Sequence, residues 1–124
     1  MNRQTVFVSL GAFLAVQALA SAPSGATDYS APLSQAAAAF KARFAERDSV
    51  CRQMSALQLG LSADRAATFC ACQLDVLARN GTPEELAVFT AATFGTGDEK
   101  DAATARAIEV MMRILPERKR VCGY

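Results

Sequence analysis

The chain has 124 residues, with 13 Lys+Arg against 12 Asp+Glu, four cysteines and no histidine. Without imidazole, Ser/His and Cys/His nucleophilic centres, His-ligated metal sites and Cys-x-x-Cys-His haem attachment are excluded. A net charge of +1 also lacks the concentrated basic surface that nucleic-acid binding requires.

Met1-Asn2-Arg3-Gln4 carries one positive charge, and Thr5 to Leu19 is an uncharged run rich in Val, Leu and Phe. Ala18-Leu19-Ala20, Ala20-Ser21-Ala22 and Ser24-Gly25-Ala26 follow, each of small-x-small form. This is the layout of a secretory leader. Pro23 disfavours a cut after Ala22, so cleavage is expected after Ala26, with Ala20 as the second choice. An apolar run of about 15 residues falls short of the roughly 20 that span a bilayer, so no stable membrane insertion is expected after cleavage. Residues 1–26 are therefore read as signal peptide, 27–32 as a flexible lead-in and 33–124 as a single helical domain, periplasmic or secreted. Loss of the leader removes only Arg3 among the charges and leaves 98 residues with 12 basic and 12 acidic side chains.

Every segment of that domain reads as helix. Leu33, Ala36, Ala37, Phe40 and Phe44 recur at i, i+3, i+4, i+7 spacing, with Pro32 suited to the first turn. The stripe runs on through Cys51, Met54 and Leu57, which predicts one long helix to Leu59, or two with a break near Asp48-Ser49. Gly60 caps it and Ser62 opens the next helix, with Asp64 in its first turn. That helix stops at Asn80-Gly81. Thr82-Pro83-Glu84-Glu85 is a capping box with proline at its first helical position, which accounts for both acids without a catalytic role. Gly95-Thr96-Gly97 breaks this third segment, and Asp98 or Thr96 caps the last. There Ile108, Met111, Met112 and Leu115 are expected to form the core stripe, and Pro116 to bend or end the final turn. Arg113 and Arg118-Lys119-Arg120 fit the carbonyl end of that helix. No run alternates with period two. The fold class is all-α: a disulfide-braced array of four helices, or five if the first breaks, with short links favouring antiparallel neighbours.

In an exported chain, four cysteines read as two disulfides. The first turn is centred between Gly60 and Leu61. Cys51 lies nine residues before Gly60 and Cys70 nine after Leu61, so in an antiparallel hairpin they stand level, about 13 Å from the turn at 1.5 Å per residue. Cys72 lies about 200° round the same helix from Cys70. One cysteine should brace the hairpin and the other take the tail, which predicts Cys51–Cys70 and Cys72–Cys122. The crossed pairing, Cys51–Cys72 with Cys70–Cys122, stays open, because a one-residue shift of the turn brings Cys72 nearly level. A Cys70–Cys72 bridge is geometrically poor, since the side chains diverge.

The block from Cys51 through Gly60-Leu61-Ser62 to Phe69-Cys70-Ala71-Cys72 resembles small exported helical proteins of proteobacteria. In these, a cysteine precedes a Gly-x-Ser/Thr turn and an aromatic-Cys-x-Cys helix. The resemblance implies a disulfide-braced helical hairpin in the periplasm and brings no activity with it.

Two functional readings follow. The first is a non-catalytic interaction or binding module, without cofactor or metal, whose partner is another envelope protein. The alternative is a copper- or zinc-handling protein that uses Cys70 and Cys72 as thiolates, with Met54, Met111 and Met112 as thioethers. Against the alternative, those methionines lie at core spacing, and a redox dithiol is normally Cys-x-x-Cys at a helix N-terminus. Asp64 and Asp75 sit on the polar face of one helix and are expected to be solvated, so no acid/base pair is picked out for a two-carboxylate hydrolase.

Overall fold

The computed structural model describes residues 26–124. The expected leader and its alternative cut at Ala20 lie outside the described residues, Ala26 excepted. Within residues 26–30, the Asp28 carboxylate accepts hydrogen bonds from the Ser30 N–H and hydroxyl. Ala31–Tyr124 form one compact unit. The described residues contain no strand, and the class is all-α: α1 Gln35–Phe44, α2 Asp48–Leu59, α3 Ala63–Asn80, α4 Pro83–Phe94 and α5 Gly97–Cys122.

The first helix begins later than Pro32 would have it. The Ser34 hydroxyl accepts from the Ala37 N–H at 3.1 Å, a side-chain cap that fixes the start at Gln35. The alternative of a broken first helix is the one observed. A short 3-10 turn over Ala45–Arg47 separates α1 from α2, and Asp48 supplies a fresh acidic first turn, paired with Arg52 at 2.6 Å. Gly60, at φ 65°, then closes α2 in the left-handed conformation that glycine tolerates best. Ser62 caps α3 through the Arg65 N–H, and the Thr82–Glu85 capping box opens α4 with both of its hydrogen bonds made.

α3 is the central element, packing against α1, α2 and α5, while α4 and α5 pair with each other and α1 also leans on α4. Phe40 lies 4.4 Å from Phe44 and 6.2 Å from Phe89, and Phe44 meets Phe94 edge-on at 5.3 Å. This aromatic chain ties α1 to α4, with the Arg43 guanidinium 3.9 Å above the Phe94 ring. Asp75 is not solvated as expected. It is gripped by Lys41 of α1 at 3.2 Å and by Arg79 at 3.0 Å, and Arg79 also donates to the Ala31 carbonyl. The acid therefore clips the start of the domain to α3.

Two apolar stripes fall in a different phase from the sequence expectation. On α2 the interior position is Ser55, while Met54 is 45% and Leu57 81% exposed. The 3-10 turn interrupts the 3.6-residue period. The bond from Cys51 to α3 then decides which face of α2 turns inward, and Ser55 follows one turn later. On α5 the buried residues are Ala107, Val110 and Ile114, whereas Ile108 is 59% and Met112 64% exposed and Met111 and Leu115 are half-buried. Both sets satisfy helical spacing. The smaller one lets α5 approach α3 and α4 closely, and so it takes the core. Pro116 does not end the helix, which runs on to Cys122. The ring is exposed, so the Met112 carbonyl that loses its partner can be hydrated instead.

Glu85 is buried against Arg113 of α5. Burial pushes its carboxyl up, but hydrogen bonds from the Thr82 backbone and Arg113, with the guanidinium charge, outweigh this and hold the pKa below the usual carboxylate range. A depressed folded pKa stabilises above the unfolded value and is lost as pH falls through the folded one. Glu85→Gln should therefore flatten the acid limb of stability below about pH 4.3 while keeping the fold, as read by urea midpoints across pH. Thr82→Ala should cost about 1 kcal/mol through the lost cap.

Candidate functional site: a groove beside the braced helix

Cys51 is bonded to Cys70 across α2 and α3, with Cα atoms 6.1 Å apart, and Cys72 to Cys122 across α3 and α5, with Cα atoms 5.8 Å apart. This is the level pairing across the hairpin, not the crossed one. The first bridge packs with Leu61, Ala66 and Phe69, and the Ser55 hydroxyl lies 3.5 Å from the Cys70 sulfur. The second bridge holds the tail. Tyr124 meets Phe69 edge-on at 5.7 Å, and Arg118 lies over the same ring while donating to the Tyr124 main-chain oxygen and to Gln73 Oε1.

These bonds correct the thiolate alternative at Cys70 and Cys72. Both sulfurs are engaged, and each is tied to a different neighbouring helix, so they do not converge on one point. Among the described residues there is no free cysteine and no group of three or more metal-ligating side chains. The carboxylates of the sequence reading do not converge either. Asp64 and Asp75 are eleven residues apart on α3, about 16 Å along its axis. Two of the C-terminal cations are paired within the domain: Arg113 with Glu85, and Arg120 with Glu117.

The structure does bring together a different set, in which Met54 and Met111 are the residues that the sequence places at core spacing. α2 and α5 both pack on α3 with a cleft of about 380 Å³ between them. Val50, Met54 and Leu59 of α2 form one wall, Phe69 and Gln73 of α3 the floor, and Met111 and Arg118 of α5 the other wall. Val50, Met54 and Leu59 are exposed. Arg47 stands at the mouth and enters no ion pair among the described residues. Arg118 donates to the Tyr124 main-chain oxygen and to Gln73 Oε1, so Arg47 is the cation at the cleft that no acid of the described residues matches. Spacing alone did not reveal it, since Met54 and Met111 read equally well as core. A second cleft of about 450 Å³ lies between the start of α3 and the tail, lined by Asp64, Arg65, Thr68 and Tyr124. Its Thr68 hydroxyl is satisfied within its own helix.

No helix among the described residues is long and apolar enough to cross a membrane. Comparisons with protein-family models, curated proteins and solved structures returned no match for this chain.

The protein prepared under oxidising conditions should contain no reactive thiol, and its non-reduced peptide map should show Cys51–Cys70 and Cys72–Cys122. Closing loops of 20 and 51 residues contributes roughly 3 and 4 kcal/mol by chain entropy. Cys51→Ser should therefore lose about 3 kcal/mol and expose one thiol, at Cys70.

Proposed function

We propose that this protein is a non-catalytic, exported interaction module, and that the cleft between α2 and α5 receives an acidic amphipathic segment of another envelope protein. One observation carries the reading: an apolar cleft lined by two methionines and fringed by Arg118 and by Arg47, which enters no ion pair among the described residues. An apolar groove takes the apolar face of a helix at i, i+3, i+4, i+7 spacing. Methionine repacks readily around such a face, and carboxylates flanking it complement the arginines. Two disulfides in so small a chain suit an oxidising compartment, and the leader-like first 26 residues give the route there. The likeness of the Cys51–Cys72 block to small exported hairpin proteins supports the same location. The lack of histidine throughout the chain, and of converging acids among the described residues, supports a role in binding.

Selection of displayed short peptides on the oxidised protein tests the reading. The enriched sequences should be acidic amphipathic helices, and Met54→Asp and Arg47→Glu should each weaken them about tenfold or more with no change in Tm, because both residues are exposed. Enrichment of basic sequences, or binding indifferent to Met54→Asp, would overturn the assignment.

A further inference from the structure

α5 carries a second apolar surface that neither the core nor the cleft uses. Asp101, Ala105, Ile108, Met112, Leu115 and Lys119 follow one another at intervals of four, three, four, three and four residues. This is the 3.5-residue repeat of a coiled-coil seam. At 100° per residue the six lie within about 80° of one another, on the side of the helix opposite Ala107, Val110 and Ile114. Five of the six are exposed and Leu115 is half-buried.

The seam is also symmetric about Val110. Reversing the helix around that point sets Ile108 opposite Met112, Ala105 opposite Leu115, and Asp101 opposite Lys119. We infer that a second copy of this chain covers the stripe, with the two α5 helices antiparallel about a two-fold axis that passes between them at the level of Val110. Each pairing then occurs twice. The two large apolar side chains meet at the centre, where Ile108 packs on Met112 of the second copy. The small Ala105 leaves room for the larger Leu115 of the second copy, and each end closes with an Asp101–Lys119 ion pair. A random apolar patch matches itself in neither volume nor charge, and this one matches in both.

The flanking charges do not compete for these partners. Arg106 pairs with Glu109 and Arg113 with Glu85 inside the subunit, whereas neither Asp101 nor Lys119 enters an ion pair among the described residues. The seam runs about 27 Å, from residue 101 to residue 119 at 1.5 Å per residue. One helix pair of that length is a small interface, so the dimer dissociates on dilution through the micromolar range. It leaves Val50 and Met54 of the cleft outside the seam, so the self-association and the peptide-binding reading stand or fall separately.

Sedimentation equilibrium of the oxidised chain over a wide concentration range tests the inference. The wild type should show a monomer–dimer equilibrium. Ile108→Glu should weaken the dimer about a hundredfold, and Met54→Asp should leave it unchanged. Asp101→Lys and Lys119→Asp should each weaken it roughly tenfold, since each places like charges at both ends, and the double reversal should restore it. A wild-type monomer at millimolar concentration overturns the inference. So does a dimer indifferent to Ile108→Glu, or charge reversals whose combination adds instead of cancelling. All four positions are exposed, so unchanged circular dichroism establishes that each variant is folded.

Discussion

The covalent bond between Cys51 and Cys70, packed with Leu61, Ala66 and Phe69, does for α2 what a buried apolar stripe does for most helices. A helix of a small globular protein is usually held by an apolar stripe. α2 turns a serine inward and leaves Met54 and Leu57 outward. Its attachment to the domain therefore rests on the disulfide and on the short turn at Gly60-Leu61-Ser62. The groove exists only because this helix is placed beside α5 without being packed into the core. A helix that buried its own methionines would have closed the cleft and spent the surface. The bridge thus separates position from burial: α2 stands in the right place with its apolar side chains still available.

Much of this was legible in the residues themselves. Caps, turns and cysteine register are local properties, set by atoms a few positions apart, and Ser62, the Thr82–Glu85 box and the level placement of Cys51 and Cys70 were all readable. The phase of a stripe is not local. On α5 the set Ile108, Met111, Met112, Leu115 and the set Ala107, Val110, Ile114 are both regular, and the larger side chains made the first look like the core. What decides between them is how closely α5 can approach its neighbours, a property of the assembled packing. The same holds for Asp75, whose partners Lys41 and Arg79 meet it only once α1 lies against α3. The candidate site was the least legible part because its methionines, Met54 and Met111, sit at spacing that reads equally well as core.

A helix with two opposed apolar faces has a use for each. The narrow face of alanine and β-branched residues permits close packing on the domain. Ile108, Met112 and Leu115 of the other face include no alanine to let a neighbouring helix approach as Ala107 does, and that face stays out of the core. Pro116 belongs to that outer side as well, and the helix survives it because the affected carbonyl lies toward solvent. Size thus sorts the two stripes, and the proline is tolerated where the packing leaves room for water.

Both disulfides end on α3, two residues apart, and their rings together enclose nearly every exposed connection. The Gly60 turn lies inside the ring closed by Cys51 and Cys70. The Gly81 and Gly95 turns lie inside the ring closed by Cys72 and Cys122. A protease that cuts any of these three loops leaves a single covalent molecule with its helices still beside one another. Of the interhelix links, only Ala45–Arg47 lies outside a ring, and that link is itself helical. Backbone scission at these loops then becomes a survivable injury, because the severed parts cannot diffuse apart.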